Sequence, residues 1–249
     1  QRGGRWKLDP ELETTLREMG RRGDIVRTMN QALRIAMQPR APQDQAIYDP
    51  DASDPRPVVG RVVASGLADE HADRRFLIVD GVDGRTHYVD VGASVLDARP
   101  GAIVQIEPRQ AGVREVDRKI AAIAGASKGW YSVELHQFRD PTASEAFATA
   151  HIRRLEALRR SGLPVEREVD GYWLIPADHL ERVEAHERRL RARMPVTVAL
   201  LSGDRLDILP ERDGATWLDR EIVAEKPVEL GRGFGAEVRK AIDRRVQWL

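Results

Sequence analysis

Residues 151–176, HIRRLEALRRSGLPVEREVDGYWLIP, decide how this chain is read, because a helix, a glycine stop and a tight hairpin follow one another without a gap. On a helical wheel Ala148, Ile152, Leu155 and Leu158 share one apolar arc, while Thr149, Arg153, Ala157 and Arg160 face away from it. Gly162 suits the left-handed residue that ends a helix. Asp170-Gly171 suits a two-residue turn between strands at 165–169 and 172–175. A helix leading straight into a small wing is the order of a winged helix-turn-helix. The outward face predicts phosphate contacts by Arg153, Arg154 and Arg160, with Arg167 and Tyr172 on the wing. Glu156 partly neutralises that face, so the same unit also reads as a packing or dimerisation module.

Outward from this stretch, the opening residues 4–10 repeat its order in shortened form: a glycine turn, a strand with an aromatic residue, then a proline that opens a helix. Asp9-Pro10 is a good cap and first helical residue, and Asp178 with Glu181 has capping-box spacing. Leu12, Leu16 and Met19 then share a helix face. The glycines at 20 and 23 predict a break, after which Asp24 caps a second helix bearing Ile25, Met29, Leu33 and Ala36. On this reading, 1–40 is the end of a first winged-helix-like repeat whose recognition helix precedes Gln1. The chain is then expected to be a piece of a longer protein.

Residues 41–57 belong to a stretch rich in proline, aspartate and small polar residues, and read as a linker. From Val58 the pattern changes to short apolar runs at 58–64, 76–79, 87–91 and 103–106, separated by turn residues. Their spacing predicts a small antiparallel β-barrel over 58–117. The winged helix then occupies 118–195. In 196–249 a hairpin made from 196–201 and 206–209 precedes a C-terminal helix; the hairpin either completes the barrel or forms a separate sheet. The expected fold class is α+β: winged-helix-like helical modules with a small antiparallel barrel.

With 249 residues, 41% hydrophobic and 32% charged, the chain can bury real cores. No apolar run is long enough for a membrane span, and the cytoplasm is the default compartment. The absence of cysteine excludes disulfides and thiolate metal sites. Forty basic residues balance forty acidic ones, so any nucleic-acid surface must be local. By segment the net charge is +3 over 1–39, −5 over 40–117, +3 over 118–195 and −1 over 196–249. The two winged-helix-like stretches are therefore the basic ones.

Candidate chemical motifs are few. Asp80, Asp83 and His87 are possible metal ligands, but their spacing does not fit a calcium loop, and aspartate-glycine pairs are expected as tight turns with His87 in a strand. The 231–235 run GRGFG precedes a helix as phosphate loops do, yet it lacks their lysine and hydroxyl residue and reads as an ordinary loop. The histidines at 71, 87, 136, 151, 179 and 186 show no HxH or HExxH spacing, and the 179/186 pair reads as a solvated helix stripe. Trp6, Trp130, Trp173, Trp217 and Trp248 are read as packing residues rather than base-stacking platforms. No catalytic residue, metal site or cofactor is expected.

The segments RGDIVRTMNQAL (22–33), VVGRVVASGLADE (58–70), VDGVDGRTHYV (79–89), HIRRLEALRRSGL (151–163), TWLDRE (216–221) and GFGAEVRKAIDRR (233–245) together resemble the C-terminal accessory region of plasmid conjugative relaxases, the mobilisation nucleases. The resemblance spans almost the whole chain. It implies a DNA-processing context in which a nicking domain, with a tyrosine nucleophile and a histidine-bound metal, lies upstream. Neither catalytic feature is carried over to a residue of this chain. The leading expectation is thus a non-catalytic DNA-binding module, of single- or double-stranded preference not fixed by sequence. The alternative is a protein-interaction scaffold that docks the relaxase to conjugation or secretion machinery.

Overall fold

The computed structural model describes residues 11–69, 72–94 and 98–249. The shortened repeat at 4–10 lies outside the described residues. The chain divides into two compact units: one comprises the chain up to Pro108 together with Met194–Leu249, and the other is Arg109–Arg193. Both helices and strands are present in each, so the fold is α+β.

The first unit begins with α1 (Leu12–Ile35), which buries Ile25, Met29 and Leu33. It runs unbroken through both glycines, correcting the expected two helices. A glycine in a helix costs about 1 kcal/mol but does not remove a hydrogen bond, so two of them weaken the ladder without ending it. The stretch read as a linker contributes a short strand, β1 (Gln45–Ile47). The four expected apolar runs become β2 (Val58–Asp69), β3 (Arg74–Gly81), β4 (Thr86–Gly92) and β5 (Ile103–Pro108). Strand alternation then sorts the core: Leu77 and Val79 of β3 join Val58, Val62, Val89, Val104 and Ile106 on one face. Ile78 turns to the other and packs with Ile25 and Met29 of α1.

The expected barrel is corrected: with β9 (Val196–Ser202) the strands form a six-stranded mixed sheet ordered β1-β4-β3-β2-β5-β9, without ring closure among the described residues. Its last strand, β9, pairs antiparallel with β5, while β1 pairs parallel with β4. The expected partner of β9 at 206–209 is not a strand. Leu206 and Leu209 instead leave the sheet to pack with α6 (Trp217–Val223) and α7 (Phe234–Trp248), around Trp217, Leu218, Phe234 and Val238. Pro210 removes a ladder donor there and sits in a 3-10 turn.

The second unit runs α2 (Glu115–Gly125), β6 (Trp130–Tyr131), α3 (Val133–Arg139), α4 (Glu145–Arg160), β7 (Glu166–Arg167), β8 (Trp173–Leu174) and α5 (His179–Arg193). Its three strands are antiparallel in the order β6-β8-β7. Ser144 caps α4 by accepting a hydrogen bond from the Phe147 amide. Gly162 ends the helix at φ +84°, and the Leu163 amide reaches back to the Leu158 carbonyl at 3.1 Å. Gly171 takes φ +89° in the hairpin turn. The core gathers Ile120, Leu155, Leu158 and Val183 of the helices with Tyr131 and Trp173, which are partners in the small sheet. No helix among the described residues is long and apolar enough to cross a membrane.

Candidate nucleic-acid interface

The period of α4 decides which arginines are available. Its buried stripe is Ala148, His151, Leu155 and Leu158, with Ile152 partly covered. Arg153 projects from the opposite side, is exposed and makes no ion pair among the described residues. Arg160 is exposed as well. Its Nε lies 3.2 Å from Glu156, whose carboxylate also holds Arg159 at 2.8 Å, so one acid serves two guanidiniums. Arg159 first, then Arg160, holds the Glu156 carboxyl below its ordinary range. Surface pairs of this kind contribute little to stability and open readily for a competing anion.

Arg167 reaches the same place from the β7–β8 hairpin. In the β7–β8 ladder it stands opposite Trp173, and its guanidinium lies 5.9 Å from the indole ring. A groove of about 300 Å³ runs between helix and hairpin, lined by Thr149, Ile152, Arg153, Arg160, Arg167 and Trp173 together with Glu156 and Ala157. Three of the five predicted residues therefore converge on one surface, with a single carboxylate among them.

The other two predicted residues are elsewhere. Arg154 points inward: Nε and Nη2 bind both oxygens of Asp117 at 2.9 and 3.0 Å, and Nη2 also meets Glu187 at 2.8 Å. Both carboxylates are fully buried, so Arg154 is a structural ion and is corrected as a phosphate contact. Burial opposes its charge, but the two acids prevail and raise its pKa. Tyr172 precedes β8 on the far face of the small sheet, edge-on to Trp130 at 6.4 Å.

The histidines escaped the sequence reading. His179 and His186, read as a solvated stripe, are both buried, and so are His136 and His151. The Tyr131 hydroxyl lies 2.7 Å from Nδ1 of His136, and the His136 and His151 rings are 4.7 Å apart. Nε2 of His136 and His151, and both nitrogens of His179, have no hydrogen-bond partner among the described residues. Burial is the leading cause holding His136, His179 and His186 below the ordinary 6.5. The unfolded chain therefore binds more protons below about 6.5, and the stability that these neutral histidines preserve is fully present above that pH and is progressively lost as pH falls below it. Protection factors from hydrogen exchange on the full chain at pH 7.5 and 5.0 should be lower in Arg109–Arg193 at the lower pH; equal protection at both refutes this.

The remaining motifs resolve into structure. Asp80 is fully buried in β3 and held by Arg40 at 2.9 Å and Arg61 at 3.0 Å. Asp83 sits in the β3–β4 turn, where its carboxylate meets Nε2 of His87 at 2.9 Å, and His87 lies in β4 as expected. Burial raises the Asp83 pKa, but the His87 bond and charge outweigh it. The glycines of GRGFG are there for close approach: the Gly231 amide donates to the Val82 carbonyl at 2.7 Å, and a Cβ at 235 would overlap that same carbonyl. Among the described residues no cluster of three or more histidine or acidic side chains is placed to hold a metal.

A family model described as "Protein of unknown function (DUF3363)" matches residues 1–249. No curated protein and no solved structure matches the chain.

Proposed function

The chain belongs to the DUF3363 family, and we propose that its Arg109–Arg193 unit is a winged-helix-like module that grips DNA as a non-catalytic accessory region of a plasmid-transfer relaxase in the cytoplasm. The order helix, strand, helix, helix, strand, turn, strand supports the winged-helix reading, with α4 in the place of the recognition helix and β7–β8 as the wing. The observation that carries the DNA reading is the convergence of Arg153, Arg160 and Arg167 on one groove. A phosphate placed there meets three planar donors and displaces only the weak Glu156 pairs. Arg154 behind them fixes the helix on which two of them ride. The relaxase context rests on the resemblance of the six segments named above.

Each phosphate neutralised steepens the salt dependence of binding by about 0.9 in log–log slope on duplex DNA. Titrating a fluorescent duplex and the corresponding single strand at 50 and 200 mM salt therefore tests the site. Arg153→Ala/Arg160→Ala is expected to flatten the slope by about 2 and to weaken binding roughly tenfold or more at the lower salt. Unchanged affinity and slope in the double variant would remove α4 from the interface. No binding of either nucleic acid by the wild type would favour the scaffold reading instead.

A further inference from the structure

The hairpin that carries Arg167 has a second face of opposite character. Successive residues of a strand point to opposite sides, and partners across an antiparallel ladder point to the same side. Arg167 and Trp173 are partners, so they share the face turned towards α4. Glu166 pairs with Leu174, which in turn pairs with Trp130, and the Glu168 amide donates to the Tyr172 carbonyl at 2.8 Å. Glu166, Glu168, Tyr172, Leu174 and Trp130 therefore share the other face.

On that face Trp130 and Tyr172 form the edge-on pair, and with Glu168, Val169 and Asp170 they line a concavity of about 570 Å³. No basic residue is among its lining. Val169, at the tip of the hairpin, is completely exposed, in a position where a polar turn residue would serve the fold equally well. Aromatic faces attract cations, and planar guanidinium stacks on them best. The carboxylates of Glu168 and Asp170 in the lining add charge complementarity and repel phosphate.

We propose that this outer face of the wing docks an arginine-bearing segment of a protein partner, the guanidinium seating on Trp130 and Tyr172 and pairing with Glu168, with Val169 covering the aliphatic stem. The two sides of one hairpin then serve two ligands of opposite charge. This assignment does not depend on DNA binding at α4, which uses Arg153, Arg160 and Arg167 and is tested with a different ligand.

A nona-arginine peptide, with nona-lysine as control, titrated calorimetrically into the full chain at low salt tests the assignment. The arginine peptide is expected to bind more tightly than the lysine one, and Glu168→Lys and Tyr172→Leu should each weaken it about tenfold. Glu168 is exposed and its side chain makes no hydrogen bond or ion pair among the described residues, so Glu168→Lys keeps the fold and isolates the docking effect. No arginine-peptide binding, equal affinity for both peptides, or an affinity untouched by Glu168→Lys overturns the proposal. Protection of Tyr172 by a DNA strand rather than by the peptide, read by tyrosine nitration, overturns it as well.

Discussion

Arg154→Ala is expected to cost the Arg109–Arg193 unit about 3–5 kcal/mol, because it strands two buried carboxylates, Asp117 and Glu187, without their shared cation. The neighbouring Arg153→Ala, on the outer side of the same helix, is expected to change stability by less than about 0.5 kcal/mol. Urea unfolding followed by circular dichroism, with hydrogen exchange to localise the loss, separates the two. Coincident midpoints would mean that the Asp117–Arg154–Glu187 network is not holding α2, α4 and α5 together. The contrast also bears on DNA binding. A loss of affinity in Arg154→Ala that tracks unfolding is a positioning effect, whereas a loss in Arg153→Ala with stability intact is a direct one.

In the other unit the comparable residue is Arg245, which is 2% exposed. Its guanidinium donates to both Asp219 oxygens at 2.8 and 3.0 Å and to the carbonyls of Arg212 and Gly214 at 2.7 and 2.8 Å. It also lies 4.6 Å from the Trp248 ring. Chiefly through Arg245, the Asp219 carboxyl is pulled down to about 2. Arg245→Ala is expected to destabilise this unit by about 3–5 kcal/mol, loosening α7 from the 209–214 segment. Arg245→Lys should recover less than half, because an ammonium cannot direct five fixed donors at two carbonyls and a carboxylate. Full recovery by lysine in thermal denaturation would show that charge alone matters there.

How much of this was legible in the sequence follows the range of the interactions involved. Strands β2 to β5 showed themselves through local alternation and turn residues, and α4 with its glycine stop and the following hairpin turn through helical period and backbone chemistry. What depended on distant partners did not show. Arg154 sits beside Arg153 in the sequence, and only Asp117, 37 residues away, and Glu187, 33 away, turn it into a buried ion. Strand β1 is three residues in a proline-rich setting, and its parallel partner is 41 residues on. The buried histidines resemble surface ones on a wheel, since His179 and His186 share a face that only the packing of α5 reveals as the inner one. One signal was available: on α4, His151 falls in the same arc as Ala148, Leu155 and Leu158.

Where the chain leaves the large sheet at Pro108 and returns at Val196, the two residues stand directly opposite in the β5–β9 ladder. A tight reverse turn would therefore bridge the gap without disturbing register from Glu107–Thr197 inward, since closing so short a loop costs little entropy. The arginine-lined helix and its two-faced hairpin are thus carried as a cassette in what is topologically a single long β-turn. Such an arrangement lets the inserted unit be shortened, exchanged or deleted while the host sheet keeps its rungs from Glu107–Thr197 inward.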